Sequence, residues 1–210
     1  MITIGNEAVC MKSYTLKKIH GEPHWDAIPA LAIDIQHGEP TNIQAWGKLC
    51  WDETGIYVNL YAREKYIRCE ELNPLDSVCD DSCLEFFFRP TESMRYFNFE
   101  YNPACNVYLG YSSGLDDLIR LIPDDQKSLF QPQSYLTEDG WGITYHIPFT
   151  FIQQFFPEFK AYEGLKFYGN CYKCGDSTVK VHYLSWNPID PSRLSYHCPA
   201  FFGQLILGGE

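Results

Sequence analysis

Ile56-Tyr57-Val58-Asn59-Leu60-Tyr61-Ala62-Arg63 is the stretch from which the fold can be read. Its aliphatic residues Ile56, Val58, Leu60 and Ala62 alternate with Tyr57, Asn59, Tyr61 and Arg63. Successive side chains of an extended chain point to opposite faces, so this period of two describes a strand with one face in a core. A helix would need its apolar residues three and four apart. Outward from this stretch the same period returns. Leu84, Phe86 and Phe88 alternate with Cys83, Glu85, Phe87 and Arg89; Phe97, Phe99 and Tyr101 with Asn98, Glu100 and Asn102. Trp141, Ile143, Tyr145 and Ile147 alternate with Gly142, Thr144 and His146. Weaker strand signals lie at 30–36, 43–51, 105–111, 117–122, 132–137, 165–173, 179–186 and 202–207. Turn residues separate the runs: Asp52-Glu53-Thr54-Gly55, Asn102-Pro103 and Glu138-Asp139-Gly140, the last a hairpin signal. One helix is expected within 148–157, with Pro148 at its first position, Phe149, Ile152, Phe155 and Phe156 on one face, and Pro157 as its stop. Many short strands and one minor helix predict an all-β fold: a two-sheet antiparallel β-sandwich, immunoglobulin- or jelly-roll-like, with one short helix. No linker, repeat or low-complexity segment divides residues 1–210, so a single domain is expected.

Composition narrows the function. The 210 residues are 45% hydrophobic, 16% aromatic and only 20% charged, which excludes a disordered or coiled-coil chain. The formal net charge of −11 repels phosphate backbones, so nucleic acid is not an expected partner. No apolar run approaches the roughly 20 residues of a membrane span. Met1-Ile2-Thr3-Ile4-Gly5-Asn6-Glu7 has neither a basic nor an apolar signal region, and there is no Asn-x-Ser/Thr site. Nine scattered cysteines without a signal read as reduced thiols in a cytoplasmic protein, although a secreted form trimmed of its signal would look the same.

Several constellations carry chemistry. Gly110-Tyr111-Ser112-Ser113-Gly114 has the spacing of a hydrolase nucleophile elbow, but residues 115–123 read as loop and strand where the elbow needs a helix. Cys79-x3-Cys83 and Cys171-x2-Cys174 could together hold zinc, yet Cys171 sits in a strand pattern as a small buried hydrophobe, so free thiols and no metal are expected. Asp76, Asp80, Asp81 and Glu85 form an acidic cluster; a structural calcium at Asp80 and Asp81 stays open. Glu85 lies amid Leu84-Glu85-Phe86-Phe87-Phe88, where an unpaired charge is costly and a partner is needed. Asn98 and Glu100 share a face of the following strand and are candidates to lie beside it. Two readings remain: a solvated strand face, or a concave polar face that binds a ligand rich in hydroxyls.

The chain resembles the family 9 carbohydrate-binding modules and the wider group of proteins that share their sandwich. Six segments carry the resemblance in order: Gly21–Asp26 with Trp25 and Asp26, followed by Ile28-Pro29-Ala30-Leu31; Ala45–Val58 with Trp51-Asp52-Glu53; Val78–Phe87 with Asp80-Asp81; Trp141–Phe149; Phe167–Lys173 with Leu184-Ser185-Trp186; and Tyr196–Leu205. The resemblance implies a non-catalytic module that recognises a sugar or glycan end, its partner a mono- or oligosaccharide, with no cofactor. In sugar-binding members two aromatic rings sandwich a sugar ring. The first ring's position is Cys79 here and the second is Tyr196. The family's sugar-bonding glutamate falls on Glu85, an arginine is replaced by Asn98, and an amide matches Asn170. The resemblance therefore predicts that Glu85, Tyr196, Asn98 and Asn170 converge at one cleft with Cys79 at its edge. The alternatives are a haem-binding electron-transfer sandwich, which would need axial ligands from six histidines and Met11 or Met94, and a glycosidase using Glu85 with Glu100 or Asp81.

Overall fold

Each strongly alternating segment forms a strand: Gly55–Arg63, Cys83–Arg89, Tyr96–Tyr101 and Gly140–Pro148. The structure is a computed structural model that describes residues 2–4, 7–9 and 11–210; the remaining N-terminal positions, Cys10 among them, lie outside the described residues. The weaker signals also become strands, including Gln44–Trp51, Val107–Ser112, Gln133–Leu136, Lys166–Gly175, His182–Ser185 and Gly203–Leu207.

The strands form two layers. One runs in the order Ile119–Leu121, Val107–Ser112, Tyr96–Tyr101, Cys83–Arg89, Lys166–Gly175, Gly203–Leu207 and Ser13–Lys18. The other runs Ser13–Lys18, Gln44–Trp51, Gly55–Arg63, Gly140–Pro148 and Gln133–Leu136. Ser13–Lys18 belongs to both. Its first part pairs with Gly203–Leu207 (Gln204 with Ser13, Leu207 with Leu16), and its last residues pair with Gln44–Trp51 (Lys17 with Cys50, Lys18 with Trp51). Both of these pairings are parallel, the one departure from the antiparallel expectation among the described pairings.

The core lies between the layers, where alternation puts it. Leu84, Phe86, Phe88, Phe97, Phe99 and Tyr101 face Ile56, Val58, Leu60, Trp141, Ile143 and Ile147. Burying each Phe contributes roughly 1.5–3 kcal/mol, so these rings hold the layers together. The helix Phe149–Phe155 closes one end, setting Phe151 5.1 Å from Phe97. Pro148 is extended (φ −62°, ψ 138°) and ends the preceding strand, so the helix starts one residue later than its sequence suggests. A one-turn helix, Gln126–Phe130, is capped by Asp125 accepting from the Ser128 amide, and it buries Phe130.

The outer face of the first layer departs from the half-buried pattern. Residues Cys83–Phe88 and Tyr96–Tyr101 are buried on both faces. The roof is chain from Asn187 to Phe202, which packs Ile189, Tyr196 and Phe202 onto Val78, Cys83, Phe87, Tyr96, Tyr172 and Cys174. Cysteine parity follows from the same geometry. Residues three apart on a strand face opposite ways, so Cys171 enters the core and Cys174 the roofed face, and the four-thiolate set cannot form. The eight described cysteines are free thiols. Ser112 is buried at the end of its strand and leads into the short turn Leu115–Asp117, so no nucleophile elbow is built. No helix among the described residues is long and apolar enough to cross a membrane.

Candidate functional site

On the roofed face, Glu85 has two Cα partners, Tyr172 on one neighbouring strand and Glu100 on the other. Pairing at adjacent positions sets the three side chains in a row across the sheet. The loop after Asn187 brings Tyr196 over this row, and the turn Val78–Asp80 brings Cys79 to its edge. Between them is a cleft of about 210 Å³, lined by Cys79, Glu85, Glu100, Cys174, Asp176, Tyr183 and Leu194 to His197.

Its floor is acidic and buried. Glu85 is 2% exposed and accepts a hydrogen bond from the Cys174 thiol at 2.9 Å. Glu100 accepts from Asn98 Nδ2 at 2.8 Å. Among the described residues neither carboxyl has an ion-pair partner. Burial, then repulsion from Glu100, pushes the Glu85 carboxyl well above the ordinary carboxylate range. Burial likewise pushes Glu100 up to about 7. A protonated carboxyl avoids the cost of an uncompensated buried charge and can both donate and accept.

The walls are aromatic. The Tyr196 ring stacks on Tyr172 with centroids 4.0 Å apart and planes 10° from parallel, and its hydroxyl lies 3.2 Å from the Lys173 and Leu184 carbonyls. Tyr183 meets Tyr196 edge-on at 6.5 Å. His197 Nδ1 lies 2.7 Å from the Tyr96 hydroxyl, and burial lowers the ring's pKa to about 4, so it is neutral near pH 7.

Three of the five expected residues, Cys79, Glu85 and Tyr196, line this cleft. The other two do not. Asn98 is fully buried and reaches the cleft only through Glu100, which it orients. Asn170 ties down the roof: its Nδ2 donates to the Asn187 carbonyl and its Oδ1 accepts from the Asn187 and Cys171 amides. Both share the predicted sheet face, but alternation gives the face and not the depth. Cys174 is readable by parity with Tyr172, and Tyr183 lies in the weaker strand signal at 179–186; Asp176 and His197 lie outside every periodic run. The acidic cluster also separates. Asp81 accepts from Arg68 Nη1 at 2.6 Å, from the Glu70 and Glu71 amides and from Asn102 Nδ2, so its lone pairs are committed to the fold. Asp80 accepts from Ser177 and Asp76 from Asn73, each away from the other.

Residues 47–207 match the family model of carbohydrate-binding family 9. The chain belongs to carbohydrate-binding family 9. That span runs from the strand Gln44–Trp51 to the strand Gly203–Leu207 and contains every residue of the cleft. Among solved structures, this family 9 chain is similar to a Bacteroides uniformis protein provisionally assigned as carbohydrate-binding, with TM-score 0.80 and 25% identity over 96% of this chain and 100% of that one. It shares its fold with a family 9 carbohydrate-binding module of Caldicellulosiruptor kristjanssonii in complex with cellotriose, at TM-score 0.68 and 14% identity over 95% of each chain. The same organism's module in complex with glucose gives TM-score 0.67 and 16% identity over 95% of this chain and 97% of that one. No curated protein sequence matches the family 9 chain.

Proposed function

We propose that this chain binds a single terminal sugar ring in the cleft above Glu85 and Glu100, and that it does so without catalysis. The observation that carries this reading is the pairing of two buried carboxyls side by side under Tyr196 and Tyr183. Sugar hydroxyls each donate and accept, and the two carboxyls supply both functions within a few ångströms. The C–H face of a sugar is apolar and suits an aromatic wall. A volume of about 210 Å³ is below the ~300–1,000 Å³ of sites that enclose a drug-sized ligand, which favours one ring inside and the rest of the glycan outside. Glucose and cellotriose, found on the Caldicellulosiruptor modules, are the first ligands to try.

A glycosidase needs one carboxyl ionised beside one protonated. What favours recognition over hydrolysis is membership of a carbohydrate-binding family, and the Glu85→Gln hydrolysis assay below tests it. The haem reading finds little support: His197 is the single histidine lining the cleft, and no methionine lines it. The eight described cysteines, all unpaired, suit a reducing compartment such as the cytoplasm, which fractionation of the native cells would check.

The test is calorimetric titration with glucose and cellotriose alongside a glycan array. The wild type is expected to bind at least one mono- or disaccharide and to release no reducing sugar. Glu85→Gln is expected to weaken binding at least tenfold while the melting temperature stays within a few degrees. A silent array, or hydrolysis that Glu85→Gln abolishes, would overturn the reading.

A further inference from the structure

The floor of the cleft holds a second donor set, made of sulfur as well as oxygen. Cys83 and Cys174 are directly paired on adjacent antiparallel strands. Glu85 lies two residues beyond Cys83, on the same face. Both Sγ atoms and a Glu85 carboxylate oxygen lie within 4.8 Å of one another, and all three residues are buried. Ligand atoms around a tetrahedral zinc-sized ion stand roughly 3.3–3.8 Å apart, given bonds of about 2.0–2.3 Å. Cys174 Sγ and Glu85 Oε1 are already closer, at 2.9 Å, and the pairs with Cys83, within 4.8 Å, lie no more than about 1 Å outside that span.

A second observation points the same way. Glu85 and Glu100 are buried next to each other, Asp176 stands at the rim, and no Lys or Arg forms an ion pair with either glutamate among the described residues. Such a carboxyl cluster is compensated by protons or by a cation. Access exists, because Glu85 and Cys174 line the cleft and Cys79 borders it.

We propose that Cys83, Cys174 and Glu85 bind one thiophilic divalent cation of the zinc class, with the fourth position open to the cleft beside Cys79. Two thiolates and one carboxylate select such an ion over calcium or magnesium, which prefer six or more oxygens. Binding replaces the protons of two thiols and one carboxyl, releasing three protons to solvent and leaving the cation held by three negative ligands. This donor set differs from the four-thiolate one that the sequence spacing suggested: strand pairing builds it, and Cys171 has no part in it. The site does not depend on sugar recognition, but it shares Glu85 with the sugar cleft, so an ion there withdraws that carboxyl from a sugar hydroxyl.

Metal analysis and cobalt(II) titration on the full chain, prepared reduced and stripped with a chelator, test the site. Reloaded with excess zinc chloride, the wild type is expected to retain one zinc per chain after gel filtration and, loaded instead with cobalt(II), to show the visible bands of a tetrahedral site with thiolate charge transfer. Cys83→Ser and Cys174→Ser are each expected to lose both signals, whereas Cys50→Ser, a buried thiol in the other layer, keeps them. Glu85→Gln is expected to weaken zinc binding at least tenfold; it guards against a cysteine variant that fails to fold, which circular dichroism would reveal. Cys79→Ser decides whether the fourth ligand is that thiol, through loss of one sulfur's charge-transfer intensity, or water. Zinc below a tenth of an equivalent, or equal retention by the wild type and the Cys83→Ser/Cys174→Ser double variant, would overturn the proposal. Sugar titration of the stripped protein is read separately, so failure of one proposal does not carry the other with it.

Discussion

At Cys79 the family resemblance sets an aromatic ring in sugar-binding relatives, and this chain sets a thiol. The backbone there is firm, since the Cys79 carbonyl accepts from the Asp176 amide at 2.9 Å, while the side chain is partly exposed at the cleft edge. Cys79→Trp would add a second wall opposite Tyr196. One stacking contact contributes about 1 kcal/mol, so roughly a five- to tenfold gain in affinity for the preferred sugar is expected by calorimetry. Unchanged affinity would show that the missing ring does not limit binding. Glu85 is the residue that sequence reading served best. A carboxylate between Leu84 and Phe86 needs a partner, and the structure supplies the Cys174 thiol, with Glu100 beside it as a second carboxyl rather than a counter-charge. Asn98 and Asn170 show where such reading stops. Each lies on the expected face, but which row of a sheet a loop will cover depends on tertiary contacts that no local pattern encodes.

Among the elements, the segment from Arg68 to Asn102 is organised by one buried carboxylate. Asp81 is fully buried and gathers Arg68, two backbone amides and Asn102 around it. Asp81→Ala would leave the Glu70 and Glu71 amides unpaired, while Arg68 keeps Glu70 at 3.1 Å and Glu71 at 3.5 Å. A loss of roughly 2–4 kcal/mol is expected from those stranded donors, read as a lower urea midpoint at unchanged slope. A loss under 1 kcal/mol would show that water replaces the carboxylate at little cost. The strands with three or more alternating apolar residues were all legible in the sequence. Ser13–Lys18 was not, because Tyr14 and Leu16 are too short an alternation to stand out. The helix Gln126–Phe130 is a single turn and carries no periodic signal either, only the Asp125 cap. The roof from Asn187 to Phe202 is irregular, so the burial of the cleft floor could not be read from period two.

For the molecule as a whole, buried titratable groups pull stability in opposite directions with pH. His182, 2.7 Å from the Lys173 ammonium and close to Glu64, is held down to about 4 by burial and by that charge. With His197 also near 4, the stability of the neutral rings is complete above pH 6.5 and is lost as the pH falls toward 4. Glu100 works the other way. Its folded pKa of about 7 exceeds the unfolded value of about 4.3, so its contribution is present below the unfolded pKa and lost as the pH rises through 7. Glu100→Gln keeps the bond from Asn98 and removes that loss. The variant's stability relative to the wild type is therefore expected to rise by up to about 3 kcal/mol between pH 4.5 and 8, measured by urea denaturation across the range. A difference that stays flat would place the proton elsewhere. The strand Ser13–Lys18 has a consequence in time as well as in space. Its main partner, Gly203–Leu207, lies about 190 residues away along the chain. During synthesis the two layers cannot be stitched along this edge until residues 203–207 have left the ribosome, because before then Ser13–Lys18 has only Lys17 and Lys18 to pair with Cys50 and Trp51. A nascent chain that has emerged only as far as residue 202 thus carries open strand edges and unburied phenylalanines, and it stays open to misassociation until residues 203–207 follow.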